Sequence, residues 1–318
     1  MPMKSTIKSP STLQEAMALF ADADACFDFA VSMRWANGKV SCPRCGSVEH
    51  SFIASRRIWY CKGCKRQFSI KVGTIFEDSP LGMNKWMLAL WLLVNCKNGV
   101  SSCEVARHLG ITQKTAWFML HRLRLAMQSG SFKKMSGEVE VDETYIGGKA
   151  RNMHKGKRRA KGTGGIGKAV VMGLLERHGE VRTQVVSEVK GRTLRPEVLK
   201  HVEPGTTLYT DELASYRGLE AEYAHKVINH AEAYAKGNVH TNGMENFWSL
   251  LKRGIKGTYV SVEPFHLFRY LDEQAFRFNN RLHKDDGERF IAAMRQVADR
   301  RLTFGQLTGK LDCPTGLN

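Results

Sequence analysis

A chain of 318 residues is long enough for one large catalytic domain together with one or two small modules. Its 42% hydrophobic and 25% charged residues are ordinary for a globular protein and exclude general disorder. The charge is unusual, because 48 Lys and Arg stand against 31 Asp and Glu and leave a net +17. Such a charge favours a polyanionic partner, since each neutralised phosphate releases a counterion. The alternative is a basic protein that merely tolerates its charge.

The cellular compartment is predicted from what the sequence lacks. The first 21 residues contain no continuous apolar segment behind a basic start, so no signal peptide is predicted. The longest apolar stretch, residues 86–94, is far shorter than the roughly 20 residues of a membrane span. Four of the eight cysteines form two close pairs and the others are scattered, which indicates a reduced compartment and a metal site. We therefore expect a cytoplasmic protein with no membrane partner.

Two small elements are predicted at the N-terminus. Residues 1–36 are expected to form a helical segment, because positions 12–30 are rich in Ala, Phe and Leu behind a capping Ser11 or Thr12. Residues 37–72 are expected to form a zinc ribbon, because two CxxC pairs stand 15 residues apart. Two unrelated cysteine pairs are the alternative. The four candidate ligands of a structural Zn²⁺ are Cys42, Cys45, Cys61 and Cys64.

Residues 84–128 are predicted to be helical, since apolar residues recur at three- and four-residue spacing. Within them, residues 101–117 have the spacing of a helix-turn-helix, with Gly110 at the turn and Thr112 capping the second helix. The alternative is an amphipathic helical hairpin inside a bundle. The candidate DNA contacts are Gln113, Lys114 and Thr115 for bases, and His121, Arg122 and Arg124 for phosphates.

The third region, residues 137–290, alternates strand-like and helix-like runs and therefore predicts an α/β domain. Its predicted strands are 138–142, 169–175, 181–189 and 206–210, with a helix at 194–202 and helices again from about 241, leading to a C-terminal helical tail at 291–318. A Gly-rich basic loop, residues 149–168, lies between the first two strands. Arg158 and Arg159 make this loop a candidate DNA contact, and a solvated hairpin tip is the alternative.

Three carboxylates in this region are candidate ligands of Mg²⁺ or Mn²⁺. Asp142 ends the first predicted strand, Asp211 follows a later strand, and Glu245 lies 34 positions further on in a predicted helix. Phosphoryl transfer on DNA uses two divalent cations about 3.5–4 Å apart, held by hard oxygen ligands that converge from separate elements. A ribonuclease H-like fold provides this arrangement. Each carboxylate taken alone is better explained as part of a solvated edge or as a helix cap, and it is their order along the chain that favours a metal site.

A lysine and two neutral side chains extend this candidate site. Lys252 follows Glu245 by seven residues, two helical turns on the same face, and is placed to hold the DNA backbone. Arg253 beside it is a further candidate DNA contact. Asn242 lies three residues before Glu245 and is a further candidate metal ligand, and the neighbouring His240 is a possible alternative.

Five segments resemble the bacterial insertion-sequence transposases of the DDE type, specifically the subfamily with an N-terminal zinc ribbon. The resemblance covers nearly the whole chain, and it implies that Asp142, Asp211 and Glu245 are catalytic with Lys252 assisting. The segments are Arg34-Trp35 ahead of the first cysteine pair, Val141-Asp-Glu-Thr-Tyr-Ile-Gly-Gly148, Thr210-Asp211, His240-Thr-Asn-Gly-Met-Glu-Asn-Phe-Trp-Ser-Leu-Leu-Lys-Arg253, and Tyr270-Leu-Asp-Glu273 with Phe276-Arg-Phe-Asn279.

The sequence therefore predicts a transposase that binds the terminal inverted repeats of an insertion sequence in double-stranded DNA. It would hydrolyse a phosphodiester at each end and then join the freed 3′-hydroxyl to target DNA. Because two DNA ends must be joined together, a homodimer or a higher assembly is expected. Two alternatives remain: a zinc-ribbon and helix-turn-helix regulator whose ribonuclease H-like domain is inactive, and a metal-dependent nuclease without strand transfer.

Overall fold

The computed structural model describes residues 8–128, 133–148, 167–211, 213–228, 240–282 and 284–310. The chain forms two compact units: Met1–Gln128 together with Asn280–Asn318, and Ser129–Asn279. Two predicted DNA contacts, Arg158 and Arg159, lie outside the described residues. Among the residues that are described, no helix is long and apolar enough to span a bilayer.

The first unit begins with two short helices, α1 (Leu13–Ala21) and α2 (Ala23–Arg34). The Thr12 hydroxyl accepts a hydrogen bond from the Glu15 amide at 3.2 Å, so one of the two predicted caps is confirmed. The Asp22 carboxylate accepts from the amides of Asp24 and Ala25, both at 2.8 Å, and so starts the second helix. A single capping aspartate thus divides the predicted apolar run in two.

The cysteine segment folds as a three-stranded antiparallel sheet in the order β1-β2-β3. Its strands are β1 (His50–Ile53), β2 (Ile58–Cys61) and β3 (Gln67–Ser69). Trp59, on the central strand, is only 4% exposed. The ring of Phe27 from α2 stacks on it at 5.6 Å, and Trp35 meets it edge-on at 5.3 Å. The ribbon therefore shares its small apolar core with α2.

Three helices follow: α3 (Met83–Asn95), α4 (Ser102–Leu109) and α5 (Gln113–Leu125). Gly110 has φ 57° between α4 and α5, a conformation that favours glycine. The Thr112 hydroxyl accepts from the Thr115 amide at 3.2 Å and caps α5. The prediction of helices over this region, with a glycine turn and a threonine cap, is confirmed.

The predicted phosphate contact Arg122 is wrong. Its side chain is 4% exposed, its guanidinium lies 5.3 Å from the ring centre of Trp86 on α3, and it donates to the Glu77 carbonyl. Burial lowers its pKa to about 10. His121 and Arg124 are likewise 0% and 1% exposed, so the second half of α5 is packed into the protein and offers no cation to a phosphate.

The end of the chain belongs to the same unit as its beginning. Two helices lie here, α9 (Asp286–Met294) and α10 (Phe304–Leu307). The ring of Phe290 lies 5.6 Å from that of Phe20 on α1 and 5.4 Å from that of Trp91 on α3. Residues 280–290, which the sequence pattern assigned to the catalytic domain, therefore cluster with the N-terminal helices because Phe290 completes their aromatic core.

The second unit is built on a five-stranded mixed sheet in the order β6-β5-β4-β7-β8. β4, β5 and β6 pair antiparallel, whereas β4, β7 and β8 run parallel. The predicted α/β class is confirmed. The strands are β4 (Glu138–Ile146), β5 (Ala169–Glu176), β6 (Val181–Val186), β7 (Thr207–Asp211) and β8 (Ala224–Ile228).

Helices cover both faces of this sheet. On one face, α6 (Gly191–His201) packs Leu194 and Val198 against Val139 and Val141 of β4. On the other, α7 (Asn242–Gly254) packs against β4 and β5, and α8 (Leu267–Asn279) packs against β6. Burial on both faces explains why β5 is an almost continuous apolar run instead of an alternating one. A turn of π-helix, Ile255–Tyr259, continues α7.

Candidate active site

The strand register brings two predicted ligands together. Glu140 of β4 is level with Tyr209 of β7, so two residues further along the parallel pair Asp142 is level with Asp211. Asp142 does not end its strand as predicted, because β4 continues to Ile146 by pairing with β5. What ends near Asp142 is the pairing with β7. Carboxylate oxygens of Asp142, Glu143 and Asp211 lie within 4.8 Å of one another, just beyond the point where the pairing of β4 with β7 ends.

Asp142 is held from two sides. Its Oδ2 accepts a hydrogen bond from Nε1 of Trp248 on α7 at 3.0 Å, and its Oδ1 accepts from the Glu143 amide at 2.8 Å. Burial raises the pKa of the Asp142 carboxyl to about 6, and the charges of Asp211 and Glu245 add to this rise. The side chain is thus fixed in direction while its negative charge is disfavoured.

Glu143 is the acidic residue that the sequence pattern did not select as a ligand. Within the described part of the chain its Oε1 is buried and accepts no hydrogen bond. Burial, followed by the charges of Asp211 and Asp142, raises the pKa of its carboxyl to about 8. Strand alternation places Glu143 on the opposite face from Asp142, so only the spatial proximity to Asp211 could have identified it.

This cluster of three carboxylates is suited to binding a divalent cation. Three carboxylate oxygen ligands whose negative charges repel one another are the hard donor set that Mg²⁺ and Mn²⁺ prefer. The same burial that disfavours the bare charges would strengthen their attraction to a cation. The cluster can therefore hold a metal ion beyond the end of the pairing between β4 and β7.

α7 contributes the remaining predicted groups. Glu245 lies exposed in its first turn, outside the cluster of three, and its charge raises the pKa of Asp142. Lys252 is half-buried; burial lowers the pKa of its ammonium and the charge of Asp142 opposes that effect. Asn242 begins the helix and is exposed. Nδ1 of His240 lies 3.1 Å from the Arg177 guanidinium, a neighbour that disfavours a bound cation.

A glycine makes room for the contact between α7 and Asp142. Gly173 of β5 is the direct partner of Asp142 across the antiparallel ladder, so both positions share a face of the sheet. A Cβ atom at Gly173 would meet Cε of Met244 and would lie 2.7 Å and 2.8 Å from two atoms of the Trp248 ring. The missing side chain leaves space for the indole against β5, from where its Nε1 reaches Asp142.

Gly173→Ala is therefore expected to lower the free energy of unfolding by about 1–3 kcal/mol, the usual cost of overpacking. Met244 can turn aside, but the Trp248 ring cannot without losing its hydrogen bond to Asp142. Thermal and urea unfolding of the full chain would measure the change. Gly257→Ala is the matched control, since a Cβ there meets no atom within 4 Å. Equal stability of the two variants would contradict this account of Gly173.

The four predicted zinc ligands also converge. The Sγ atoms of Cys42 and Cys64 lie 3.8 Å apart and those of Cys45 and Cys61 lie 3.5 Å apart. Tetrahedral Zn–S bonds of about 2.3 Å require sulfur separations of about 3.8 Å. A hydrogen bond from the Cys64 backbone lowers the pKa of the Cys61 thiol and so favours the thiolate that binds metal. The cluster fits a structural zinc ion.

The other predicted DNA contacts differ in exposure. Gln113 and Lys114 are exposed at the start of α5, and Thr115 is half-buried. Nε2 of Gln113 donates to the Ser102 hydroxyl at 2.8 Å, and Nζ of Lys114 lies 5.1 Å from the ring centre of Phe304. Arg253 is exposed on α7. These side chains are within reach of solvent, unlike Arg122.

Comparison with known proteins gives one consistent family. Residues 134–279 match the ISXO2-like transposase domain, and residues 21–67 match the transposase zinc-ribbon domain. An uncharacterized protein in transposable element ISH50 of Halobacterium salinarum is 26% identical over 84% of this chain and 93% of its own length. An uncharacterized transposase-like protein of Haemophilus influenzae is 36% identical over 32% of this chain and 82% of its own length.

Among solved structures, a pre-cleavage Mos1 transpososome aligns with 65% of this chain and 74% of its own at 14% identity, with a TM-score of 0.26. The two domain matches and the two relatives agree with the carboxylate cluster and the cysteine cluster described above. The chain belongs to the ISXO2-like, zinc-ribbon-containing transposases of the DDE type.

Proposed function

We propose that this transposase binds the terminal inverted repeats of its insertion sequence, hydrolyses a phosphodiester at each end, and joins the freed 3′-hydroxyl to target DNA. The observation that carries the proposal is the register that sets Asp142 level with Asp211 and gathers their carboxylates with that of Glu143. A family that moves DNA needs a site of this kind for phosphoryl transfer.

Asp142 and Asp211 are the proposed metal ligands from the sheet, and Glu245 is the proposed ligand from α7. When bound, two Mg²⁺ or Mn²⁺ ions would activate the attacking oxygen and stabilise the leaving oxygen. Glu143 adds a fourth carboxylate beside Asp211. Trp248 orients Asp142 through its indole N–H. An aspartate on a strand, an aspartate at the end of its parallel neighbour and a glutamate on a packed helix support a ribonuclease H-like fold for this unit.

The cations near the site have a role in holding DNA. Lys252 lies close enough to Asp142 for their charges to interact, so a phosphate drawn to Lys252 would be brought next to the carboxylates. Lys256 and Lys168 also act on the pKa of Lys252 and extend this local positive charge. Arg253 is exposed on the same helix. Cations of this kind beside a phosphoryl-transfer site would contact phosphates and not bases.

Recognition of the transposon ends is assigned to the first unit. The zinc ribbon would position the protein on DNA, and α4 and α5 would act as a helix-turn-helix with Gln113 and Lys114 facing the bases. Both side chains lie at the exposed start of α5. Thr115, which is held by Thr112, would contact DNA only through its remaining exposed surface. Because two ends are joined in one reaction, we propose that the active form is a dimer or a higher assembly.

The test is a cleavage and joining assay with DNA that carries the element's own ends. The full-length protein is expected to nick those ends and join them to target DNA when Mg²⁺ or Mn²⁺ is added, and to do neither without a divalent cation. Binding of the same DNA should persist in both conditions, because it rests on the first unit. Scrambled end sequences serve as the control for recognition.

Each outcome separates the competing functions. Cleavage without joining, under conditions that support the whole reaction, would indicate a metal-dependent nuclease. Specific binding without any metal-dependent cleavage would indicate a DNA-binding regulator and would overturn the proposed reaction.

A further inference from the structure

The start of α7 lacks the usual side-chain cap. Thr241 occupies the N-cap position but makes no capping hydrogen bond. The first amides of a helix have no partner within the helix, so they need an acceptor from elsewhere. Here the acceptor comes from the sheet: Oε2 of Glu140 accepts from the Met244 amide at 2.9 Å. Glu140 is 1% exposed and lies on β4, two residues before Asp142.

The second carboxylate oxygen of Glu140 contacts an arginine that also holds His240, the residue before the N-cap of α7. Oε1 of Glu140 accepts from Nε of Arg177 at 2.9 Å. The same guanidinium donates to the His240 carbonyl at 2.7 Å and contacts its Nδ1 at 3.1 Å. It also lies 4.0 Å from the ring centre of Tyr209 on β7. Groups from β4, from β7 and from the residue after β5 thus hold the entry to α7.

Close packing restricts the position of the backbone at the start of α7. A Cβ atom at Gly243 would lie 2.8 Å from Oε2 of Glu140 and would also meet Cδ2 of Leu175. Glycine at this position lets the helix backbone approach the carboxylate. The residue after Met244 is Glu245, and its proposed co-ligand Asp142 lies two residues after Glu140 on β4. Glu140 therefore holds the first turn of α7, which carries Glu245, against β4, while Trp248 holds the next turn through Asp142.

We propose that Glu140 is a positioning residue of the catalytic site: it caps α7 from β4 and, through Arg177, sets the distance between Glu245 and the Asp142–Asp211 pair. Glu140 contacts neither DNA nor metal in this role. A carboxylate suits it because the start of a helix carries partial positive charge and Arg177 supplies a full one. The inference rests on the proposed function only for its catalytic consequence; the capping itself is independent of it.

The test compares Glu140→Ala and Glu140→Gln with wild type in the full, zinc-loaded chain. Hydrogen exchange of peptides from residues 242–254 measures the cap without DNA or metal. Electron paramagnetic resonance of free Mn²⁺ measures the affinity of the site. Glu140→Ala is expected to speed exchange at the start of α7 at least about tenfold and to weaken Mn²⁺ binding and single-turnover cleavage about 10- to 100-fold, with DNA affinity unchanged. Glu140→Gln, which keeps an acceptor for Met244, should lie between it and wild type.

Glu138→Gln is the matched control. Glu138 lies 3.6 Å from the same Arg177 and on the same strand, but its side chain is 39% exposed and it accepts a hydrogen bond from the Tyr209 hydroxyl. This variant should leave α7 exchange and Mn²⁺ affinity at wild-type values. If Glu140→Ala does not fold, Gly243→Ala tests the same contact by displacing Oε2.

The outcomes distinguish a purely structural cap from a residue that also positions the metal ligands. Unchanged α7 exchange in a folded Glu140→Ala protein overturns the proposal. Faster exchange with wild-type Mn²⁺ affinity also overturns it, because Glu140 would then be structural alone. A wild-type protein that fails to cleave transposon ends defeats the proposed function, while hydrogen exchange and Mn²⁺ affinity still decide the role of Glu140.

Discussion

Asp142→Asn is expected to reduce strand cleavage by at least about 100- to 1,000-fold, the scale on which a single preorganised electrostatic group contributes to catalysis. DNA binding should stay at the wild-type level. Asparagine has the same size and keeps one oxygen that can accept the hydrogen bond from Trp248, so the packing of α7 on the sheet is preserved. The hydrogen bond from the Glu143 amide to the other oxygen is lost, because an amide nitrogen cannot accept it. What is lost is the negative charge that a divalent cation requires.

The same variant should melt no lower than wild type in buffer without added divalent cations. Burial and the charges of Asp211 and Glu245 raise the pKa of Asp142, which means that its ionised form costs folding free energy near neutral pH. A neutral amide avoids that cost. Added Mg²⁺ should raise the melting temperature of wild type and have a much smaller effect on Asp142→Asn, because a ligand stabilises only the protein that binds it.

Two variants complete this comparison. Asp211→Asn should behave like Asp142→Asn, since both aspartates belong to one cluster. Glu180→Gln removes a carboxylate of the same unit that is 47% exposed and pairs with Arg182 at 3.7 Å, so it should keep full activity and the response to Mg²⁺. Wild-type cleavage by Asp142→Asn would remove this residue from the active site.

Local patterns in the sequence predicted most of the helices and strands, the four cysteines and two of the three carboxylates that cluster in the structure. The spacing of the cysteines identified four side chains whose sulfur atoms do converge. Alternation along residues 138–142 and the short run before Asp211 located two strands that the structure pairs in parallel. These predictions succeeded because each depends on periodicity or spacing within a few residues, which a single sequence displays.

The errors that affect the site and the domain boundary concern contacts between distant segments. Helical periodicity placed Arg122 on α5 correctly but could not show that this part of the helix packs against Trp86. Strand alternation separated Glu143 from Asp142, although both approach Asp211. The contact of Phe290 with Phe20 joins the two ends of the chain and moves residues 280–290 out of the predicted catalytic domain. Such packing depends on tertiary structure that no local pattern encodes.

Cys61→Ser is expected to release zinc and to unfold the ribbon while the catalytic unit stays folded. Cys61 is fully buried at the end of β2, next to the three other sulfur atoms. Structural zinc contributes about 10–16 kcal/mol of apparent binding free energy in zinc-finger peptides, and in a module this small that binding is coupled to folding. The stacking of Phe27 on Trp59 offsets part of the loss but cannot pair the strands by itself.

Zinc content and hydrogen exchange would measure this effect together. Wild type should hold one zinc ion per chain and Cys61→Ser close to none, and peptides from β1, β2 and β3 should exchange at least about 100-fold faster in the variant. Peptides from β4, β5 and β7 should keep wild-type protection, because they belong to the other compact unit. Binding to transposon ends should fall with the ribbon.

The chain offers its own control for a cysteine replacement. Cys103 is exposed on α4 and lies outside the cluster of four sulfur atoms. Cys103→Ser should therefore retain zinc, ribbon protection and end binding. If Cys61→Ser also retained them, the convergence of the four thiols would be a packing feature and not a metal site. If it lost zinc but kept its strands protected, the aromatic contacts around Trp59 would be the main source of ribbon stability, and α2 rather than the metal would hold this module together.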